Sequence, residues 1–261
     1  MHLAIIGNGF VGQAMAACFR QHYPTTIYDK YQSEHSQFEP VMEADLVFVS
    51  VPTPKGSQGY DLTNLHEVMG RLSSAYYKGI VVIKSTVLPG TTASMSQQYG
   101  LQLVNNPEFL TARTAKHDFA NQSHIVIGGE PTSRDRVAQF YQTIFPNAEY
   151  TLVKSMESES IKIFCNAFYA TKLQVFNEFY LLCLHTGADF NTVVGGMLKN
   201  NWINPMHTKV PGPDGQLSFG GGCFPKDLGA LVQYCENQQL SSQVLRSVLK
   251  ERNQMRSHKN E

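Results

Sequence analysis

The chain has 261 residues, and Lys+Arg balances Asp+Glu at 21 each, so its formal charge is zero. That length suits about one or two domains with a substantial core, and the even charge offers nothing to hold nucleic acid or an anionic membrane. No apolar run is long enough to span a bilayer, and the opening Met1-His2-Leu3-Ala4-Ile5-Ile6-Gly7 has neither the charged head nor the cleavage site of a signal peptide, which predicts a cytoplasmic protein with no membrane partner.

The first half alternates short apolar runs with helical patterns. Leu3–Ile6 reads as a strand and Phe10–His22 as the helix after it. Between them stands Gly7-Asn8-Gly9-Phe10-Val11-Gly12. A G-x-G-x-x-G between strand and helix is a dinucleotide fingerprint: a tight turn at Gly7, a bare backbone for a pyrophosphate at Gly9, and close packing at Gly12. The helix N-terminus adds N–H groups and a positive dipole end. Thr26–Tyr28 is the second strand, and Asp29 follows it, 22 residues after Gly7. A carboxylate there suits the ribose 2′-OH of NAD and repels the 2′-phosphate of NADP. The expected cofactor is NAD.

Leu46–Val51, Val81–Lys84, Leu101–Val104 and His124–Ile127 are further predicted strands, with helices at Leu62–Tyr76, Thr91–Tyr99 and Ser133–Ile144. Val/Ile-rich runs without polar alternation predict a parallel, doubly wound Rossmann-like sheet buried on both faces. Ligands of such sheets bind at the carboxyl ends of strands. Pro52 and Thr53, Ser85 and Thr86, and Glu108 in Asn106-Pro107-Glu108 all follow strands. Each is either a turn residue or part of a ligand rim.

The second half is helical. Ser155–His185 holds no Pro or Gly and predicts one long helix, with Ser155 or Ser158 as a cap and Glu157 and Glu159 favourable near its N-terminus. Lys162 and Asn166, four apart, share a face; the lysine is either a solvated charge or a cation aimed into a site. Asp189 is a predicted N-cap for a second helix. The loop Ile203–Gly222 leads to Gly220-Gly221-Gly222-Cys223-Phe224-Pro225-Lys226-Asp227, where glycines let a thiol lie close to a ligand. Helices are predicted from about Lys226 to Gln238 and from Ser241 to Gln254, with a polar, frayed tail from Arg256 to Glu261. The cysteines Cys18, Cys165, Cys183, Cys223 and Cys235 are odd in number and form no CxxC pair, so neither disulfides nor a metal site is expected. All but Cys223 sit in apolar helical patterns and predict core positions. The expected domains are residues 1–150, a nucleotide-binding unit, and 151–261, a helical unit.

Together these segments resemble the UDP-glucose/GDP-mannose dehydrogenase family. The matching motifs are Ile6–Gly12, Val51-Pro52-Thr53-Pro54, Ser85-Thr86-Val87, Asn106-Pro107-Glu108-Phe109-Leu110, Glu159-x-x-Lys162-x-x-x-Asn166, Asn177-Glu178, Gly187-Ala188-Asp189 and Gly220–Asp227. They keep the family's order over nearly the whole chain. The resemblance implies NAD-dependent, four-electron oxidation of a nucleotide sugar at C6, UDP-glucose to UDP-glucuronate, or the same chemistry on GDP-mannose or an N-acetylated UDP-sugar. A non-catalytic, partner-dependent NAD-binding chain is the other reading.

By the same resemblance Cys223 is the nucleophile and Lys162 stabilises an oxyanion with help from Asn166. Asp227 and Thr86 handle water and protons, and Glu108 is a base. Gly7, Gly9, Phe10, Val11, Gly12, Asp29, Pro52, Thr53, Ser85 and Thr86 would hold NAD. Glu108, Phe109, Leu110, Lys162, Asn166, Lys209, Phe219 and Gly220 would hold substrate. The long helix would form a homodimer.

Thr111-Ala112-Arg113 stands where the family has Arg-Glu-Gly. No clear arginine precedes the glycine-rich loop, where His207 and Lys209 are the candidates. The family's C-terminal nucleotide-binding domain is missing, which implies a weak grip on UDP unless Lys209, Arg113 and the 210–215 insertion form a clamp or another polypeptide supplies one.

Overall fold

The computed structural model describes residues 1–57 and 59–257. Two compact units emerge: Met1–Pro54 with Tyr60–Lys162, and Ile163 onward together with Lys55–Gly59.

The first unit is built on β1 (Leu3–Ile6), α1 (Phe10–Phe19), β2 (Thr25–Tyr28) and β3 (Leu46–Val49). Next in chain order, Lys55–Gly56 (β4) and Gly59–Tyr60 (β5) form a separate two-stranded sheet, which up to Gly59 is grouped with the second unit. Then come α2 (Thr63–Ser74), β6 (Ile80–Ile83), α3 (Thr91–Tyr99), β7 (Gln102–Asn105), α4 (Ala115–Ala120), β8 (His124–Gly129), α5 (Pro131–Ile144) and β9 (Glu149–Val153). The main sheet has seven strands in the order β2-β1-β3-β6-β7-β8-β9. Side chains alternate between two apolar layers. Leu3, Ile5, Leu46, Phe48, Ile80 and Val82 pack with Phe19, Phe119 and Tyr141; Ala4, Ile6, Val47, Val49, Val81 and Ile83 pack with Leu65, Met69 and Leu72. Both faces are covered, so the strands carry no polar alternation.

Two features of the main sheet depart from the sequence reading. β8 pairs with β7 antiparallel, while β8 and β9 are parallel. A parallel return needs an element as long as the strand. The six residues of α4 advance only about 9 Å, so the chain re-enters from the end it left; the 14 residues of α5 make the full return. The seventh strand, β9, was not predicted. Its residues are partly exposed and include Glu149, which hides an edge strand from a search for buried runs.

The second unit is helical: α6 (Ser155–Thr186), which begins in the first unit, α7 (Phe190–Leu198), α8 (Phe224–Asn237) and α9 (Gln243–Ser257). Phe176, Cys183, Phe190 and Val194 form its apolar centre. Asp189 caps α7 by accepting from the Thr192 N–H at 2.7 Å. α6 opens differently from expectation. Glu157 reaches back to accept the Lys154 N–H at 2.6 Å, half of a capping box, while Ser158 spends its hydroxyl on Asn105 Oδ1 and Ser155 O. Cys18 and Cys183 are buried, whereas Cys165 and Cys235 are only partly so, at the margin of their helices. The predicted frayed tail is ordered at its start, because Arg256 lies within α9 and binds Asp214 and the Ser218 carbonyl; residues 258–261 lie outside the described residues. Among the described residues no helix is long and apolar enough to cross a membrane.

Candidate functional site

In the first unit a crevice opens at the carboxyl ends of β1, β2 and β3, lined by Gly7, Asp29, Lys30, Tyr31, Val51 and Pro52. Gly7 has φ +94°, and a Cβ there would lie 2.7 Å from the Ser50 carbonyl oxygen; a Cβ on Gly12 would lie 2.0 Å from the Gly7 oxygen. Neither position admits a side chain. Gly9 faces open space, so its bare backbone leaves room for a phosphate. The first turn of α1 has no acidic residue and no side-chain cap, which leaves its N–H groups and dipole for an anion. Phe10 is exposed and Val11 packs partly against the core. Asp29 accepts the Asn8 N–H at 2.8 Å and the Tyr31 N–H at 2.9 Å, which fixes its carboxylate at the rim with acceptor capacity left for a ribose diol. These features fit a dinucleotide.

Thr53 and Ser85 are buried, and their hydroxyls donate to Thr86 O and Val51 O, at 2.8 and 2.7 Å. They tie the loops after β3 and β6 together and retain only acceptor lone pairs for a ligand. Thr86 is half-buried.

Beyond β7 the same unit holds a charged cluster. Lys162 donates to Glu108 Oε1 at 3.1 Å, with both side chains over nine-tenths buried. Glu108 Oε2 accepts the Leu110 N–H at 2.6 Å. The exposed Phe109 ring sits 5.2 Å from the Lys162 ammonium. Behind them lies a lysine just past the end of β6, not within the strand as its predicted range has it. Lys84 donates to Asn106 Oδ1 at 2.9 Å and to Pro107 O at 3.4 Å. Burial pushes its pKa down to about 7; the Glu108 charge opposes that and Lys162 adds to it. Glu159, another part of the family-like pattern, has a structural role. It accepts the N–H groups of Gly90 and Thr92, capping α3 from α6, and burial raises its pKa.

In the second unit Cys223 is exposed at the N-cap of α8. The Asp227 N–H closes the first turn on Cys223 O at 2.8 Å. The Asp227 carboxylate is buried and accepts from Asn166 Nδ2 and Lys226 Nζ, each at 2.6 Å. The loop before the cysteine is held from both sides. Ser218, at φ +58°, donates its N–H to Asn177 and its hydroxyl to Gln174. From α9, Arg252 donates to the carbonyl of the buried Phe219, and the Arg256 guanidinium packs where a Cβ on Gly220 would fall, 2.6 Å from Nη1. Asn177 was visible in a sequence motif; Lys84, Arg252 and Arg256 had no local signal. Lys209 is exposed in the loop. His207 stacks on Tyr169 with ring centroids 4.7 Å apart, and burial, aided by Lys172, lowers its pKa.

A doubly wound sheet with a glycine fingerprint and an acid at the second strand end defines a dinucleotide-binding protein of the Rossmann type. The particular family follows from comparison. The family description "UDP-glucose/GDP-mannose dehydrogenase family, NAD binding domain" matches residues 25–145, and that of the central domain matches residues 156–254. The chain belongs to this family, and its cofactor is NAD.

UDP-glucose 6-dehydrogenase of Pseudomonas aeruginosa is 30% identical over 95% of the chain, and the chain covers 64% of that protein. UDP-glucose 6-dehydrogenase YwqF of Bacillus subtilis is 28% identical over 97% of the chain, which covers 66% of it. The chain thus spans just under two thirds of these relatives. Among solved structures, a UDP-glucose dehydrogenase from Pyrobaculum islandicum superimposes with a TM-score of 0.84 at 26% identity, covering 97% of this chain and 68% of that one.

Proposed function

We propose that the chain is an NAD-binding domain, residues 1–150, and a catalytic helical domain, residues 151–261, of a cytoplasmic nucleotide-sugar 6-dehydrogenase that turns a C6 alcohol into a carboxylate through a cysteine thioester. The observation that carries this reading is the buried Lys162–Glu108 pair, a cation and a carboxylate held in contact, the two residues that the family resemblance gives as oxyanion stabiliser and base.

Gly7, Gly9, Gly12 and Asp29, with Pro52, Thr53, Ser85 and Thr86 at the rim, would hold NAD⁺, which when bound would accept one hydride (two electrons and a proton) in each of two oxidations; the O–H proton of the first leaves through the water that Asp227 and Thr86 handle. The chain's residues do the rest. The thiolate of Cys223 adds to the C6 aldehyde, and the N-terminus of α8 favours its negative charge. Lys162, with Asn166, stabilises the alkoxide of the thiohemiacetal, an effect worth about 3–4 kcal/mol where one donor is removed. After the second oxidation, Glu108 takes a proton from water, Asp227 and Thr86 orient that water, and hydroxide displaces the cysteine thiolate to leave the carboxylate. Phe109, Leu110, Lys209, Phe219 and Gly220 line the substrate.

NADH release against a panel of UDP- and GDP-sugars tests this. Two NADH per sugar are expected with UDP-glucose, and substituting NADP⁺ should cut kcat/KM by at least tenfold because Asp29 repels a 2′-phosphate. No NADH with any sugar would overturn the reading; two per GDP-mannose or per N-acetylated UDP-sugar would reassign the substrate.

The reading includes a homodimer through α6. Phe164, Phe168, Val175 and Leu182 are exposed, and their spacing puts them on one helical stripe. Sedimentation should show a dimer that Phe168→Glu converts to monomer; a wild-type monomer would remove this part.

A further inference from the structure

Lys84 has the geometry of an anchor. It is only 3% exposed, and so are its partner Asn106 at 1% and the neighbouring Tyr141 at 0%. Asn106 Oδ1 receives two donors, the Lys84 ammonium and the Tyr141 hydroxyl at 2.6 Å. Its amide nitrogen donates to Val126 O at 2.7 Å, so the orientation of the amide is fixed. A second Lys84 hydrogen goes to the carbonyl of Pro107, the residue joined to Glu108. The turn Asn106-Pro107-Glu108 is therefore hung by two of its three residues from one side chain. The Glu108 carboxylate that ends it is then clamped by Leu110 N–H and Lys162.

Burying an ammonium costs several kcal/mol, and an apolar residue would complete the Val81–Ile83 run at no such cost. A charge retained there calls for a use beyond packing. We propose that Lys84 is a positioning residue, holding the 106–108 turn so that Glu108 faces the water it activates in thioester hydrolysis.

This rests on the mechanism proposed above. The charged groups around Lys84 are Glu108, on the turn it holds, and Lys162, from α6; Tyr141 faces it through Asn106 from α5, and the Phe119 ring of α4 lies 5.9 Å away. With a pKa near 7 the side chain is partly amine at neutral pH. An amine still has two hydrogens to donate, so the anchor persists as the charge declines.

Lys84→Met removes both donors and keeps most of the volume. A chain that forms the thioester but cannot hydrolyse it gives a burst of two NADH per Cys223, slow turnover after it, and an acyl adduct visible by intact mass. Glu108→Gln should show all three. Lys84→Met should show the same burst with later turnover slowed about ten- to a hundredfold, the scale of a misplaced catalytic group, while its Kd for NAD is unchanged. Equal slowing of burst and turnover without adduct would mean a merely structural role and would overturn the inference. So would wild-type turnover. Adduct in Glu108→Gln but not in Lys84→Met removes the inference alone; no adduct in Glu108→Gln removes the mechanism beneath it as well. If Lys84→Met fails to fold, Tyr141→Phe, which loosens Asn106 at constant volume, should give a weaker form of the same split, and normal hydrolysis in that variant would overturn the proposal.

Discussion

Replacing Cys223 with serine should end acid formation and leave both the fold and NAD binding in place. The first turn of α8 is closed by the Cys223 carbonyl accepting the Asp227 N–H, and the Cys223 side chain does not cap the helix's own N–H groups. Serine is itself a favoured N-cap residue, so α8 loses nothing. What changes is the reacting atom: a serine hydroxyl is far less ionised near neutral pH than a thiol and attacks an aldehyde poorly. The loss in acid-forming turnover should be on the order of a thousandfold or more, as expected where a nucleophile is removed. Chromatography of the sugar products, fluorescence titration with NAD and a thermal melt read the three parts separately. Acid formation at the wild-type rate would remove the thioester from the mechanism.

The second large effect belongs to Lys162. Lys162→Met should lower kcat about a hundred- to a thousandfold, the range for losing one oxyanion donor, and should also destabilise the first unit. Glu108 is 9% exposed at its side chain, and removing one partner of a buried ion pair typically costs about 3–5 kcal/mol because the other charge is stranded. The remaining Leu110 N–H bond puts this case near the lower end. Lys162→Met combined with Glu108→Gln should recover most of the stability and none of the activity. Urea unfolding and steady-state kinetics on the two single variants and the double would separate these contributions. Additive stability losses would show that the pair is not coupled.

Much of the architecture could be read from the residues because it depends on local pattern. The strands at 3–6 and 46–49, the glycine fingerprint and the unbroken helix from Ser155 follow from periodicity and punctuation. Other features depend on distant parts of the chain. The direction of β8 is set by how far α4 can carry the chain, and β9 is an edge strand whose exposed positions weaken its pattern. The same division holds in the site. Cys223, Glu108 and Asn166 stood in recognisable motifs, but no local rule says that a lysine closing an apolar strand turns inward, as Lys84 does, or that arginines in a polar terminal stretch reach the carbonyls of a loop 33 to 38 residues earlier.

Those two arginines set a boundary for anyone who would move the cysteine loop into another protein. The motif from Gly220 to Asp227 looks like a portable cassette, but its approach is shaped by Arg252 and Arg256 on one side and by Gln174 and Asn177 on the other. A graft that stops at the end of α8 would carry the thiol and leave behind the guanidiniums that brace its entry. The smallest transferable piece runs from α6 through Arg256.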